Sequence, residues 1–209
     1  MEPVAGFGHK RNVTSNSDAE LWALALAGDE RAFGDLFDRH SRAVYNYCFR
    51  RTADWSVAEE LTSVVFLETW RRRTQVRMEG GSLLAWLYGV ATNCLRNHRR
   101  ALRRHSDALA RLPKPIPAHE VADLVAARVD DQRRMREILG HIQTLPRRDQ
   151  ELLALCVWEE LSYAEAAAAL NIPIGTVRSR LSRLRAKLLE PPPSIGHKGR
   201  DNAFREELS

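Results

Sequence analysis

At 209 residues, 44% hydrophobic and 28% charged, the chain is long and apolar enough for one or two modest cores and is not composed like a disordered polymer. Its formal charge of +5 favours a polyanionic partner such as nucleic acid. No apolar run reaches the roughly 18 residues of a membrane span, the first residues lack an apolar leader, and Cys48, Cys94 and Cys156 stand far apart without a C-x-x-C pair. Neither membrane span, signal peptide, disulfide framework nor zinc knuckle is expected, and the chain reads as cytoplasmic.

Residues 1–16 read as a tail, in which Gly6 and Gly8 follow no strand and do not make a nucleotide loop. Ser17-Asp18-Ala19-Glu20 has the form of a capping box and predicts a first short helix with Leu21, Trp22 and Leu24. After Gly28-Asp29 a second helix repeats Phe33, Leu36, Phe37, Val44, Tyr47 and Cys48 on one stripe, with Arg31, Asp35, Asp38, Arg39, Arg42 and Arg50 opposite. Ser56-Val57-Ala58-Glu59 predicts the start of a third, whose apolar positions Leu61, Val64, Val65 and Leu67 run to Trp70 before Arg71 to Arg73. Gly80-Gly81 breaks the chain, and Ser82 is placed to cap a fourth helix through Leu83, Leu84, Leu87, Val90, Ala91, Cys94 and Leu95. Between His105 and Ala118 the apolar rhythm fails and Pro113, Pro115 and Pro117 alternate, which predicts an extended spacer.

The reading is therefore all-α, with two small helical domains at 17–104 and 120–190, a flexible Pro-rich linker at 105–119 that extends at most to about 128, and a polar tail at 191–209. Within the second domain, Ser162-Tyr163-Ala164-Glu165 makes another capping box, and the small side chains Ala166 to Ala169 leave room for a crossing helix. Asn171-Ile172-Pro173-Ile174-Gly175 predicts a tight turn, with a new helix from near Thr176. Its stripe is Val177, Leu181, Leu184 and Leu188. The opposite face carries Gly175, Ser179, Ser182 and Ala186, with Thr176 and Arg183 at the edge, while Arg178 and Arg185 flank one side and Arg180 and Lys187 the other. Capped helix, turn and basic helix together make a helix-turn-helix, in which short polar side chains and Arg183 reach bases and the flanking cations reach phosphates.

A second cationic surface lies earlier. Between residues 71 and 104 there are nine arginines and one acid, Glu79, with Trp70, Trp86 and Tyr88 close by. Such a mixture suits unstacked bases of single-stranded DNA, although Trp and Tyr at helical spacing more often serve a core.

These stretches resemble the sigma factors of bacterial RNA polymerase, in the small two-domain extracytoplasmic-function class. Ala58-Glu59-Glu60-Leu61 through Val65-Phe66-Leu67 and Trp70 is similar to sigma region 2.2, and Ala85-Trp86-Leu87-Tyr88-Gly89-Val90-Ala91-Thr92-Asn93 to regions 2.3 and 2.4. Leu145-Pro146, Leu161 to Glu165 and Gly175-Thr176-Val177-Arg178-Ser179-Arg180-Leu181 resemble region 4. The resemblance implies a promoter-specificity subunit that binds core polymerase at its clamp and flap. Glu59, Glu60, Leu61, Phe66 and Trp70 would meet the clamp; Arg77, Trp86, Asn93, Arg96, Asn97, Arg99 and Arg100 would meet the minus-10 element; Thr176, Arg178, Ser179, Arg180, Ser182, Arg183, Arg185 and Lys187 would meet the minus-35 element. The loop from about Thr74 to Ser82 would capture a flipped base. Ser63 and Val64 depart from the family's usual Gln-acid pair, so the usual polar contacts there are not carried over. An anti-sigma partner is expected from the resemblance alone.

Two rivals follow from the same residues. A helix-turn-helix regulator that binds operators without polymerase would carry a receiver or ligand pocket, where this chain has a basic helical domain instead. An enzyme would need a nucleophile motif or metal spacing, and His40, His98, His105, His119 and His141 form neither; no catalytic residue, metal or cofactor is expected.

Overall fold

The computed structural model describes residues 16–76, 78, 82–109 and 126–189, and their regular structure is entirely helical. The first helix, α1 (Asp18–Leu26), is capped by the expected box: Ser17 N donates to the Glu20 carboxylate at 2.7 Å and Glu20 N to Ser17 Oγ at 3.3 Å. It buries Leu21, Trp22 and Ala25. The next, α2 (Glu30–Thr52), follows Gly28, which takes a φ of 101° at the turn, and Asp29, whose carboxylate accepts from Arg31 N and Ala32 N.

Ala53 ends α2 in the left-handed region with a φ of 50°, and this turn moves the start of the third helix. The cap of α3 (Trp55–Arg71) is Asp54, which accepts from Val57 N at 3.0 Å, rather than the expected Ser56. Once Ala53 has reversed the chain, Asp54 is the first extended residue, and its short carboxylate reaches the orphan amide before Ser56 can. Within the domain Phe33 gathers Trp22, Phe66 and Trp70 at ring distances of 6.1, 6.3 and 4.8 Å.

A 3-10 turn, Arg73–Gln75, precedes α4 (Leu84–Leu109), the longest helix among the described residues. Ser82 helps to cap it, accepting from Leu84 N at 3.2 Å, while Leu83 N is taken by Asp18 from α1 at 2.8 Å. Residues 105–109, assigned to the linker on sequence, are the last turns of α4. Gly80-Gly81, Pro113, Pro115, Pro117 and both tails lie outside the described residues, apart from Asn16.

The second block holds α5 (Ala126–Ile142), α6 (Arg147–Leu153), a π turn (Ala154–Trp158), α7 (Tyr163–Leu170) and α8 (Ile174–Leu189). Ser162 and Glu165 form the expected capping box, and Asn171 ends α7 with a φ of 52°. The last helix starts two residues ahead of Thr176: Pro173 sits at its mouth, and the Pro173 carbonyl accepts from Thr176 N and Val177 N. Val177, Leu181 and Leu184 are buried as the stripe requires, and the side chain of Leu188 lies outside the described ones.

The two blocks rest on each other through one continuous apolar cluster that runs from Leu21 to Leu184. The alanine run on α7 does admit a crossing helix, and that helix is α4 of the first block: a Cβ built on Gly89 would stand 2.7 Å from the Ala169 carbonyl oxygen. Charged groups surround the crossing. Arg96 meets Glu151 at 2.5 Å, Arg50 meets Glu159 at 2.9 Å, Tyr88 donates to Glu159 at 2.6 Å, and the buried Arg51 donates to the Gln150 carbonyl at 3.1 Å.

Candidate nucleic-acid interface

Three helical surfaces carry the residues singled out on sequence. On α8, Arg178, Ser179, Ser182, Arg183 and Arg185 are exposed, and Thr176 and Arg180 are half-buried. The side chain of Lys187 lies outside the described ones. Short local bonds hold the face in shape: Ser179 Oγ donates to the Thr176 carbonyl and Arg183 Nε to the Ser179 carbonyl, both at 3.2 Å. An α helix preceded by a capped helix and a left-handed Asn turn, with small polar groups on its open face, has the form of a helix-turn-helix. Arg180 is turned to the seam between the domains, away from Arg178 and Arg185.

On α4, Asn93, Asn97 and Arg100 are exposed, whereas Arg96 and Arg99 are half-buried. Arg96 is already engaged, bidentate on Glu151 through Nε and Nη2, and this hydrogen bonding raises its pKa further. Arg99 donates to the Arg51 carbonyl at 2.9 Å; burial and then the charges of Arg51 and Arg147 push its pKa down to about 10. Trp86 is half-buried, and its indole N–H has no acceptor among the described residues. Arg77 lies outside them.

On α3 the expected clamp residues divide. Glu59 and Glu60 are exposed, but Leu61 and Phe66 are 4% and 3% exposed and belong to the core, so they support the surface without presenting a side chain to a partner. Trp70 packs on Phe33 at 4.8 Å and carries the Arg73 guanidinium at 4.7 Å. Leu67, expected on the buried stripe, is 61% exposed, because the helix turns it to the side of Glu60, Ser63 and Val64.

Sequence reasoning missed three acids. Asp18 is 8% exposed and gathers Arg39 Nη1 at 2.7 Å, His40 Nε2 at 2.8 Å, Ser82 Oγ at 3.3 Å and Leu83 N at 2.8 Å. Burial alone would raise its pKa, but the Leu83 amide, Arg39 and His40 together hold the carboxyl below the usual range. Glu151 and Glu159 are the others; burial and the bond to Glu159 keep the Tyr88 hydroxyl protonated as a donor. Asp18 was legible only as part of a capping box, and no local signal marks the two glutamates. No helix among the described residues is long and apolar enough to cross a membrane.

A two-domain helical protein with a helix-turn-helix at one end and an arginine-lined helix in the other domain is, by class, a DNA-binding protein of transcription. The Sigma-70 region 2 family matches residues 36–105, and the Sigma-70, region 4 family matches 135–188. An ECF RNA polymerase sigma factor, SigK of Mycobacterium sp. (strain KMS), is 31% identical over 173 residues, which span 81% of this chain and 86% of that protein. The ECF RNA polymerase sigma factor BldN of Streptomyces coelicolor is 29% identical over 187 residues, 87% of this chain and 70% of the relative. Among solved structures, CnrH in complex with the cytosolic domain of CnrY superposes with a TM-score of 0.59 at 25% identity, covering 83% of this chain and 95% of that one. The chain belongs to the sigma-70 family of RNA polymerase sigma factors, in its extracytoplasmic-function class. That family is not a class of enzymes.

Proposed function

We propose that this promoter-specificity subunit, acting in the cytoplasm, divides its work by surface. The exposed side of α3, with Glu59, Glu60 and Leu67, docks on the polymerase clamp. The α4 residues Trp86, Asn93, Arg96, Asn97, Arg99 and Arg100, with Arg77, handle the minus-10 element, and α8 reads the minus-35 element through Thr176, Ser179, Ser182 and Arg183. Arg178, Arg180, Arg185 and Lys187 neutralise phosphates and set the register of the helix. Region 2 spans 17–104 and region 4 spans 120–190 in this division, joined by the segment between them.

The observation that carries the reading is the helix-turn-helix of α7 and α8, with Ser179, Ser182 and Arg183 open on its outer face, in one chain with the α3–α4 domain. Because Arg96 is spent on Glu151 in the packed form, full use of α4 requires the two domains to part when polymerase binds. An anti-sigma partner that holds such a chain back is part of this reading; the structurally similar CnrH is solved in complex with another protein, the cytosolic domain of CnrY.

The test is in vitro transcription on genomic DNA with core polymerase, with and without the purified protein. New, discrete start sites only in its presence are expected. Tight, sequence-specific binding by the free protein at physiological salt, with no new start sites, would instead establish an operator-binding regulator.

A further inference from the structure

Where α4, α6 and α8 meet, the seam between the domains opens into a basin of about 530 Å³. Arg96, Arg99 and Arg100 come from α4, Arg147 and Arg148 from α6 and Arg180 from α8, while Leu170 and Ile172 supply an apolar edge. One carboxylate, Glu151, faces these six guanidinium groups, and Arg96 already occupies both of its oxygens. Arg51, buried at 3% exposure, adds its charge beside Arg99. Packing the domains therefore brings cations together without matching acids, at a cost in free energy that an anion in the basin would offset.

We propose that this basin is a binding site for a small multiply phosphorylated anion, which clamps region 4 onto region 2 and stabilises the packed form of the free subunit. Arginine suits this ligand class, since its planar fork pairs two N–H groups with two phosphate oxygens. A short chain of phosphates presents more oxygens than one phosphate group, enough for guanidinium groups from α4, α6 and α8 together. Double-stranded DNA is the wrong shape, because the walls come from both domains and enclose a space far narrower than a duplex. Arg147 and Arg148 separate this site from promoter binding: both are exposed and line the basin, and neither has a part in the promoter contacts proposed above. The inference rests on that assignment of Arg96, Arg99, Arg100 and Arg180 to DNA only for its consequence, that the bound anion keeps them from the promoter.

The experiment is calorimetric titration of the full-length chain with inorganic tripolyphosphate, at fixed ionic strength held with chloride, alongside small-angle scattering over a series of chloride concentrations with and without the ion. Saturable binding of one ion per chain is expected, with scattering that stays compact as salt rises. The double variant R147A/R148A should keep its helicity and its transcription with core polymerase, yet bind tripolyphosphate about tenfold or more weakly, the effect of losing charge-assisted hydrogen bonds. The control R178A/R185A, on a flank of α8 outside the basin, should bind the ion as the unmodified chain does. Equal affinity in R147A/R148A would overturn the site, and equal weakening in both double variants would reduce it to general attraction by a basic surface. Failure of the promoter reading registers elsewhere, as absence of start sites with the unmodified chain in the transcription assay.

Discussion

Gly89 of α4 lies so close to the Ala169 carbonyl of α7 that a side chain on Gly89 would overlap backbone, at 2.7 Å from the oxygen and 3.1 Å from the Ala169 Cα. Backbone cannot swing aside as a flexible side chain does. The crossing of α4 and α7, and with it the approach of Glu151 and Glu159 to Arg96 and Tyr88, depends on the absence of a Cβ at one position.

Gly89→Ala should therefore separate the domains without unfolding either. The clash costs about 1 to 3 kcal/mol at the seam, while alanine favours the α4 helix itself by about 1 kcal/mol over glycine. Scattering should report a larger radius of gyration, and hydrogen exchange should quicken at α7 with little change in α2 and α3. An unchanged radius for G89A would mean that the backbone yields and the crossing is not tight.

The α3 surface predicts a contrast between neighbours. Leu67→Asp, at a position 61% exposed, should leave the melting temperature nearly unchanged while weakening capture of core polymerase. Leu61→Ala and Phe66→Ala empty core positions and should cost about 2 to 5 kcal/mol of stability. Thermal melts paired with a core-binding assay separate the cases; full core binding by L67D would remove Leu67 from the clamp contact.

Local rules made much of this architecture legible. Ser17 with Glu20, Ser162 with Glu165, and Asn171 before Pro173 mark helix ends through side chains two or three residues away, so the sequence carries them openly. Asp54 was hidden because its role depends on Ala53 adopting a left-handed turn, which alanine does not advertise. Leu67 reads as one more apolar residue on a helix, and only the rotation of α3 on its core decides that it faces out. The seam was illegible for a different reason. Arg50 and Glu159 are separated by 109 residues, and an arginine that finds a distant carboxylate looks on sequence like one free for phosphate.

Asp18 and His40 predict how stability falls with acid. Burial, against the opposing pull of Asp18, lowers the His40 pKa below its ordinary 6.5, and the hydrogen bonds to Asp18 hold that carboxyl below its ordinary 3.8. Both folded values lie below the unfolded ones, so in each window the unfolded chain binds more protons and stability rises with pH. The His40 share is complete above pH 6.5 and declines as pH falls through its folded value; the Asp18 share is complete above 3.8 and declines below it. Denaturant titrations across pH should show two descending steps. His40→Gln should remove the upper one, and Asp18→Ala, which takes the carboxylate from Arg39 and strands the Leu83 amide, should cost about 2 to 4 kcal/mol near neutral pH. An upper step that survives in H40Q would assign that titration to another group.

The last prediction separates reading from positioning on α8. Arg183 is exposed on the outer face beside Ser179 and Ser182, whereas Arg178 is exposed on a flank and Arg180 is turned to the seam. Arg183→Ala should cost about 1 to 3 kcal/mol at the preferred bases and relax the minus-35 preference there, because a bidentate contact to a base edge is lost. Arg178→Ala and Arg180→Ala should weaken binding about equally on all promoter variants and lower the salt slope by about one each, the mark of a lost phosphate contact. All three substitutions leave the buried stripe of Val177, Leu181 and Leu184 in place, so helicity should persist, and core binding through α3 should stay intact in all. Reconstituted holoenzyme titrated with promoter variants at several salt concentrations makes the measurement. If R183A kept its full minus-35 preference while R178A or R180A changed it, α8 would sit in the groove on a different face from the one assigned here. Loss of core binding in all three would join the two tasks that the separate surfaces of α3 and α8 keep apart.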